Sequence, residues 1–381
     1  MGVRLNHRTV GEIDSPIGTT YALVDGRDPG GLLDLAQAAP RYPPPPEIVD
    51  HIAATARRPD GSGYVEIAGL PRLREAFAAE VRAAYGGRVD ADQVVVTAGC
   101  NQAFCLVASA LAGPGDEVVL VLPYYFNHDM WLRMNGIVPV YLETPTAAEA
   151  ERVITPRTRA IVLVSPGNPS GVTADPAAIV DLFRVAARHD IALILDETYR
   201  VFRDTEEPAH PLFADPDWPR TLVSLHSFSK EFAIPGHRVG AVIGSTDLGR
   251  EVAKLLDCVA ICAPRIGQEA AWAGLTMATD WRGARALEVA AKRRWFTEAM
   301  ERRPGGFELV SVGGFFGWIR HPFAGRPTGD VVRDLVTRCD VLVIPGTAFM
   351  PDDRRMLRVS VGNADRAALV DFADRLARFA R

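Results

Sequence analysis

Six apolar runs of four to eight residues dominate the middle of this chain: Val94–Thr97, Val118–Leu122, Ala160–Val164, Ile191–Leu195, Leu222–Leu225 and Val239–Ile243. They are near-continuous Val, Ile and Leu rather than alternating, the pattern of strands covered on both faces. Amphipathic stretches between several of them, such as Ala103–Leu111 and Pro176–His189, predict helices. Strands and helices in alternation imply βαβ units and a largely parallel sheet. Upstream, Glu47–Arg58 and Pro71–Ala84 read as helices, with the loop Gly61-Ser62-Gly63-Tyr64 between them. Residues 1 to about 45 are irregular, rich in Gly and Pro, and predict an arm rather than a domain. From about residue 275 the pattern changes. A long helix, about Trp281–Arg302, leads into an α+β segment containing Gly313-Gly314-Phe315-Phe316 and Leu357-Arg358-Val359-Ser360.

Composition narrows the class. The chain has 381 residues, 48% hydrophobic and 23% charged, with formal net charge −5, so it is long enough for a large core and two domains. The acidic balance and the lack of a basic block argue against nucleic acid as a partner. No apolar run approaches a membrane span, and the first residues lack a secretory core. The five cysteines (100, 105, 258, 262, 339) have no framework spacing and read as reduced thiols of a cytoplasmic protein. Cys258 and Cys262 lack a second pair or a nearby His, so no metal is expected; they read as buried small apolar residues.

The polar chemistry gathers just after the runs, where ligands of doubly wound sheets bind. Successive ends carry Ala98-Gly99-Cys100-Asn101-Gln102, Pro123-Tyr124-Tyr125-Phe126-Asn127-His128, Ser165-Pro166-Gly167-Asn168-Pro169-Ser170-Gly171, Asp196-Glu197-Thr198-Tyr199 and Ser227-Phe228-Ser229-Lys230. Each also has a plain reading. Gly99-Cys100 suits a strand-to-helix turn as well as a phosphate at a helix N-terminus. Tyr125 suits a core aromatic as well as a stacking face. Asn168-Pro169 suits a turn, and Asp196 a helix N-cap. Lys230 is the sharpest signal. It follows a buried strand and two serines, and Arg238 comes eight residues later beside Gly236 and Gly240. An amine beside hydroxyls and a guanidinium is what a phosphorylated aldehyde requires: the amine forms a Schiff base and the others hold the phosphate.

These residues resemble the class I/II aminotransferases, fold type I enzymes that use pyridoxal 5′-phosphate. Ser-Phe-Ser-Lys-x-x-x-x-x-Gly-x-Arg-x-Gly (227–240) is similar to their lysine signature. Asn168-Pro169-Ser170-Gly171, Asp196-Glu197-x-Tyr199, the segment from Tyr64 to Arg74, and Leu357-Arg358-Val359-Ser360 resemble their other motifs, in order. The resemblance implies an α/β fold: a large domain (46–275) on a mostly parallel seven-stranded sheet, a smaller α+β C-terminal domain (276–381), and an N-terminal arm (1–45) contributing to the small domain. It implies Lys230 as the Schiff-base residue, Asp196 on the pyridine nitrogen, Tyr199 and Asn168 at the ring oxygen, and Tyr125 stacked on the ring. Gly99, Cys100, Asn101, Ser227, Ser229 and Arg238 would surround the cofactor at its phosphate end, with Tyr64 reaching it from the partner subunit of a homodimer. Arg358 would grip the substrate α-carboxylate, near Asn168 and Ala38. Ala38 falls where many members have glycine, an extra methyl close to the substrate. The implied activity moves an amino group between an L-amino acid and a 2-oxo acid by a ping-pong aldimine/ketimine mechanism. The alternatives on the same scaffold are a C–S β-lyase or other Cα chemistry; in another class, a non-catalytic PLP-binding regulatory module. His128, Cys258, Cys262 and Arg265 are candidates to line or flank the pocket, Arg265 near the neighbouring subunit's site or simply paired with surface carboxylates.

Overall fold

The computed structural model describes residues 2–26, 30–205 and 207–380; Met1, residues 27–29, Glu206 and Arg381 lie outside them. Seven strands form the main sheet: β1 (Val94–Thr97), β2 (Glu117–Val121), β3 (Val138–Leu142), β4 (Thr158–Val164), β5 (Ala192–Asp196), β6 (Leu222–Ser227) and β7 (Gly240–Ile243). Their order is β1-β7-β6-β5-β4-β2-β3. β7 alone is reversed relative to the other six strands. Six of the seven are the apolar runs of the sequence, with ends displaced by a residue or two.

Every residue of β1, β2, β6 and β7 is buried. The reason lies in the two-residue period of a strand. Val94, Val96, Val119, Ile161, Leu193 and Ala241 enter one core, with the helices Pro46–Ala56, Pro71–Tyr85, Pro176–Arg188 and Arg265–Met277. Val95, Val118, Val162, Ile194, Val223 and Val242 enter the other, with Cys100–Leu111 and Thr246–Ala260. Two apolar faces leave no room for alternation, hence the unbroken runs.

The strand that the pattern missed is β3. It lies at the sheet edge, Val138 is exposed, and Pro139 stands opposite Val118. An edge position tolerates both a proline and a half-wetted face.

A second, antiparallel sheet joins Ile344–Pro345, Met356–Ser360, Phe316–Arg320 and Glu308–Gly313, in that order. The helices Thr279–Met300, Thr328–Cys339 and Arg366–Phe379 cover it through Phe296, Leu335 and Phe372. The N-terminal arm is more ordered than its composition predicts. Leu33–Asp34 pairs in parallel with Val341–Leu342. Pro16–Tyr21 is a helix: Pro16 presets its first turn and the Ser15 hydroxyl accepts from Gly18 N at 3.4 Å. Among the described residues no helix is long and apolar enough to cross a membrane.

Candidate active site

Segments following β1, β2, β4, β5 and β6 meet the N-terminal arm and Arg358 around one cavity of about 290 Å³. Its walls include Asn101, Tyr125, Asn168, Asp196, Tyr199, Ser227, Ser229, Lys230, Arg238, Ala38 and Arg358.

Lys230 is aimed by its neighbours. Ser227 ends β6 and its hydroxyl accepts from Ser229 N at 3.3 Å, capping the short helix Phe228–Glu231. Phe228 is fully buried, edge-on to Phe77 at 5.1 Å. Glu231 is buried too, taking His226 Nε2 at 2.8 Å and Arg282 Nη1 at 3.3 Å. With both neighbours locked in the core, Lys230 is left to the cavity, where its amine makes no hydrogen bond or ion pair to any described residue. Burial, then the guanidiniums of Arg238 and Arg358, push its pKa down to about 8.

Asp196 closes β5, buried at 4% exposure. A carboxylate there must be partnered. Its Oδ1 accepts from Thr198 N at 3.0 Å and Thr198 Oγ1 at 2.7 Å, with Cys100 Sγ at 3.6 Å. Its Oδ2 has only His128 Nε2, at 3.5 Å, among the described residues. His128 stacks on Phe104 at 3.8 Å and stands edge-on to Tyr125. Burial pushes His128 down to about 4, against the pull of Asp196, so it is a neutral neighbour near pH 7. One carboxylate oxygen is therefore saturated, and the other lacks a strong donor.

At the opposite end, Gly99 caps the helix Cys100–Leu111 with φ +90°, and an added Cβ would sit 2.4 Å from Arg238 Nη2. Arg238 donates from Nη1 to Pro235 O at 2.9 Å and from Nη2 to Ala98 O at 3.4 Å. At Gly240 a Cβ would meet Cys100 N, Gly99 C and His226 O, each at 2.7 Å. The glycine two residues after Arg238 thus lets β7 press against the start of this helix. The result is a helix N-terminus with a guanidinium beside it and hydroxyls at 227 and 229, a donor set suited to a phosphate.

Arg358 lies in Met356–Ser360, 2% exposed, sandwiched between Phe316 and Phe349 at 5.1 Å each. Nη1 donates to Asn168 Oδ1 at 2.9 Å and Nη2 to Ala36 O, while Nε has no partner among the described residues. Burial lowers its pKa to about 10. A buried guanidinium with two neutral acceptors and no carboxylate among the described residues has the charge and the planar donors to hold an anion. Asn168, with its oxygen committed to Arg358, keeps its amide N–H groups as donors. Burial likewise raises Tyr199 above the ordinary phenol value and Tyr125 to about 12, so both hydroxyls are protonated donors at neutral pH. Tyr199 packs on Phe315 and Phe316.

Two of the expected residues do not line the cavity. Gly99 sits behind Arg238, and Tyr64 is 77% exposed on its loop. Arg265 braces that loop: Nη1 donates to Asp60 O at 2.6 Å and Nη2 to Asp60 Oδ2 at 2.9 Å, the surface-carboxylate reading of this residue. His128 lies behind Asp196 rather than in the wall. Cys258 is exposed, because its turn of Thr246–Ala260 faces outward, whereas Cys262 is buried. The sequence reading passed over two contributors, Thr198 and Ile17, and one contact of the expected Cys100. Thr198 fixes Asp196, Ile17 enters from the arm, and the Cys100 thiol, held protonated by burial, faces Asp196. Thr198 carries a signal after the fact, since a hydroxyl two residues past a buried aspartate is well placed to bond it.

Residues 31–376 match the protein family described as aminotransferase class I and II. The chain is 31% identical over 359 residues to the aromatic aminotransferase ISS1 of Arabidopsis thaliana, covering 90% of this chain and 88% of that protein. It is 29% identical over 367 residues to an aspartate/prephenate aminotransferase of Thermus thermophilus, covering 91% of each. The solved structure of an aspartate aminotransferase from Thermus thermophilus with maleate superposes with a TM-score of 0.90 at 25% identity, over 99% of this chain and 100% of that one. The fold is accordingly the fold type I arrangement.

Proposed function

The chain belongs to the class I and II aminotransferases, and from that premise we propose that its cavity binds pyridoxal 5′-phosphate and moves an amino group between an L-amino acid and a 2-oxo acid. The observation that carries this reading is Lys230: an amine with no partner among the described residues, with a pKa lowered to about 8, in the same cavity as Asp196, Arg238 and Arg358. Each end of the cavity suits one end of the cofactor. The start of the Cys100–Leu111 helix (Gly99, Cys100, Asn101), with Ser227, Ser229 and Arg238, would take the phosphate. Asp196 Oδ2, short of a donor, would take the protonated ring nitrogen. Tyr199 and the Asn168 amide would face the ring oxygen, and Tyr125 the ring plane.

Bound there, the cofactor supplies an electron sink that acidifies the substrate Cα–H. The chain's own residues do the rest. Arg358 grips the α-carboxylate in a bidentate fork and so orients the substrate, helped by Asn168 and by the backbone at Ala38. Lys230, neutral in an appreciable fraction near pH 7, takes the proton from Cα and delivers it across the site as general acid/base. Cys100 and Thr198 keep Asp196 in place and His128 backs it with a neutral ring. The enclosing helix Pro16–Tyr21 and Phe126 limit water.

Two copies of the chain would complete the site, the exposed Tyr64 of each reaching the other's phosphate seat from the loop that Arg265 braces. The arm (1–45), large domain (46–275) and small domain (276–381) are the proposed divisions, and the cytoplasm the proposed location. The test is turnover with and without a 2-oxo acid acceptor. Acceptor-dependent amino transfer supports the reading; steady release of pyruvate and ammonia with no acceptor would replace it with a lyase.

A further inference from the structure

We propose that Glu80, outside the cavity on the helix Pro71–Tyr85, is a positioning residue for the amino transfer: it ties together the backbone segments that carry Asp196, Tyr199 and Lys230. This deepens the aminotransferase reading and rests on it. Each of those three cavity residues is followed directly by a charged residue, Glu197, Arg200 and Glu231 respectively. All three followers are buried, and none of them lines the cavity. Three buried charges beside three cavity positions require partners.

One helix connects them. Glu197 accepts from the hydroxyl of Tyr85, the last residue of Pro71–Tyr85, and from Ser224 Oγ at 2.7 Å. Glu80 lies on the same helix. Its Oε1 accepts from Arg200 Nη2 and its Oε2 from Arg282 Nη1 at 2.8 Å. The same Arg282 nitrogen donates to Glu231 Oε2 at 3.3 Å, while Glu231 Oε1 meets His226 Nε2 at 2.8 Å. Tyr85 thus holds the residue after Asp196, and Glu80 the residue after Tyr199. Through Arg282, Glu80 also reaches the residue after Lys230.

Glu80 is the joint of this network. Arg200 stands over the Phe77 ring at 5.6 Å and Arg282 over Phe232 at 5.7 Å, so aromatic faces support both guanidiniums. A second cavity, of about 230 Å³, is lined by Glu80, Arg200 and Arg282, and on that side the ion pairs rather than close packing fix them. Arg282 belongs to the helix Thr279–Met300, whose later turns reach the second sheet through Phe296. Burial would raise the pKa of Glu231; His226, Arg282 and Arg200 outweigh it and hold it at about 2. With Glu80 neutralised, both guanidiniums turn to Glu231 for compensation, since an uncompensated buried charge is strongly unfavourable. The short helix that aims Lys230 would move with it.

The experiment compares the parent with Glu80→Gln, Arg282→Lys and their double variant. The control is Arg82→Met on the same helix, whose side chain bonds Val89 O and Glu75 instead. Reconstituted holoenzyme is assayed for kcat and KM with 2-oxoglutarate and whichever of alanine, leucine, phenylalanine, aspartate and arginine the parent turns over fastest. Cofactor-free protein is acetylated across a pH series, and Lys230 is read by peptide mass spectrometry. Glu80→Gln is expected to lower kcat by about tenfold or more, a misplacement on the order of 1 Å being able to cost about a hundredfold. KM is expected to stay in place, because Arg358 is untouched. The Lys230 acetylation midpoint is expected to move upward from about 8, as a loosened helix admits water to the amine. Arg282→Lys is expected to shift both readings the same way and carries the test if Glu80→Gln does not fold. The double variant is expected to lose no more than the worse single one, because both act through one link. Arg82→Met is expected to lower the Tm while leaving kcat and the midpoint alone. Unchanged kcat and midpoint in the Glu80 and Arg282 variants, or the same changes in Arg82→Met, overturn the proposal and leave the aminotransferase reading standing. A parent with no acceptor-dependent amino transfer overturns both.

Discussion

Lys230 offers the most demanding test of the electrostatics, because the chain contains only three lysines, Lys230, Lys254 and Lys292. The perturbation is pH, applied to the cofactor-free protein. Burial and two guanidiniums bring the Lys230 amine from 10.5 down to about 8. That displacement corresponds to about 3 kcal/mol against the charged form. At pH 7 roughly one Lys230 in ten then carries a free electron pair, against roughly one in three thousand for an ordinary lysine. Pulse acetylation with a small anhydride, followed by peptide mass spectrometry, reads each lysine separately. Lys230 is expected to show half-maximal reactivity near pH 8, and Arg238→Gln to move that midpoint upward by removing one repelling charge. A midpoint above pH 9.5, or one that Arg238→Gln leaves in place, would refute the claim that burial and neighbouring cations set this amine.

Further outcomes follow from the same geometry. Because the folded-state pKa of Lys230 is depressed, the unfolded chain binds more protons between about pH 8 and 10.5, and this group's penalty fades as pH rises through that window. Cofactor-free Lys230→Met is therefore expected to exceed the parent in denaturant stability by up to about 3 kcal/mol at pH 7 and to match it near pH 10.5; a gap constant with pH would contradict this. Arg358→Ala is expected to keep the cofactor's absorbance while weakening amino-acid binding by about 2–5 kcal/mol, measured by spectral titration; loss of the cofactor itself would mean that Arg358 serves the wrong partner. Gly240→Ala drives a Cβ into three backbone atoms, and a thermal melt is expected to register about 1–3 kcal/mol of destabilisation. An unchanged melt would show that β7 and the Cys100–Leu111 helix are free to separate.

Much of the large sheet, and many of the residues that line the candidate cavity, were legible in the sequence for one physical reason. Strands buried on both faces must be continuously apolar, so a polar residue at their carboxyl end stands out, as Asp196 does after Leu193-Ile194-Leu195. What was hidden depends on long-range contacts or on the sheet edge. The strand β3 carries Pro139 and a wetted face, which periodicity does not separate from a loop. Ile17 lies in a six-residue helix inside a Gly- and Pro-rich arm, and the arm is tied to the cavity by long-range contacts such as the bond from Arg358 to Ala36, 322 residues apart, and the pairing of Leu33–Asp34 with Val341–Leu342. The support under the site was equally silent. Glu197, next to Asp196, turns away from the cavity into a buried cluster with Tyr85, Ser224 and His210. Burial alone would raise its pKa; His210 and the hydrogen bonds outweigh that and hold it at about 2. Nothing in Asp196-Glu197 says which carboxylate faces the cavity. The strand's alternation decides it, together with Thr198, whose hydroxyl selects the first.

The central claim is a covalent one, and three lysines make it simple to check. Protein reconstituted with pyridoxal 5′-phosphate, reduced with borohydride and digested, should yield a single peptide bearing the pyridoxyl group, with Lys230 modified and Lys254 and Lys292 bare. The group on either of those other lysines, or on none, would contradict the account.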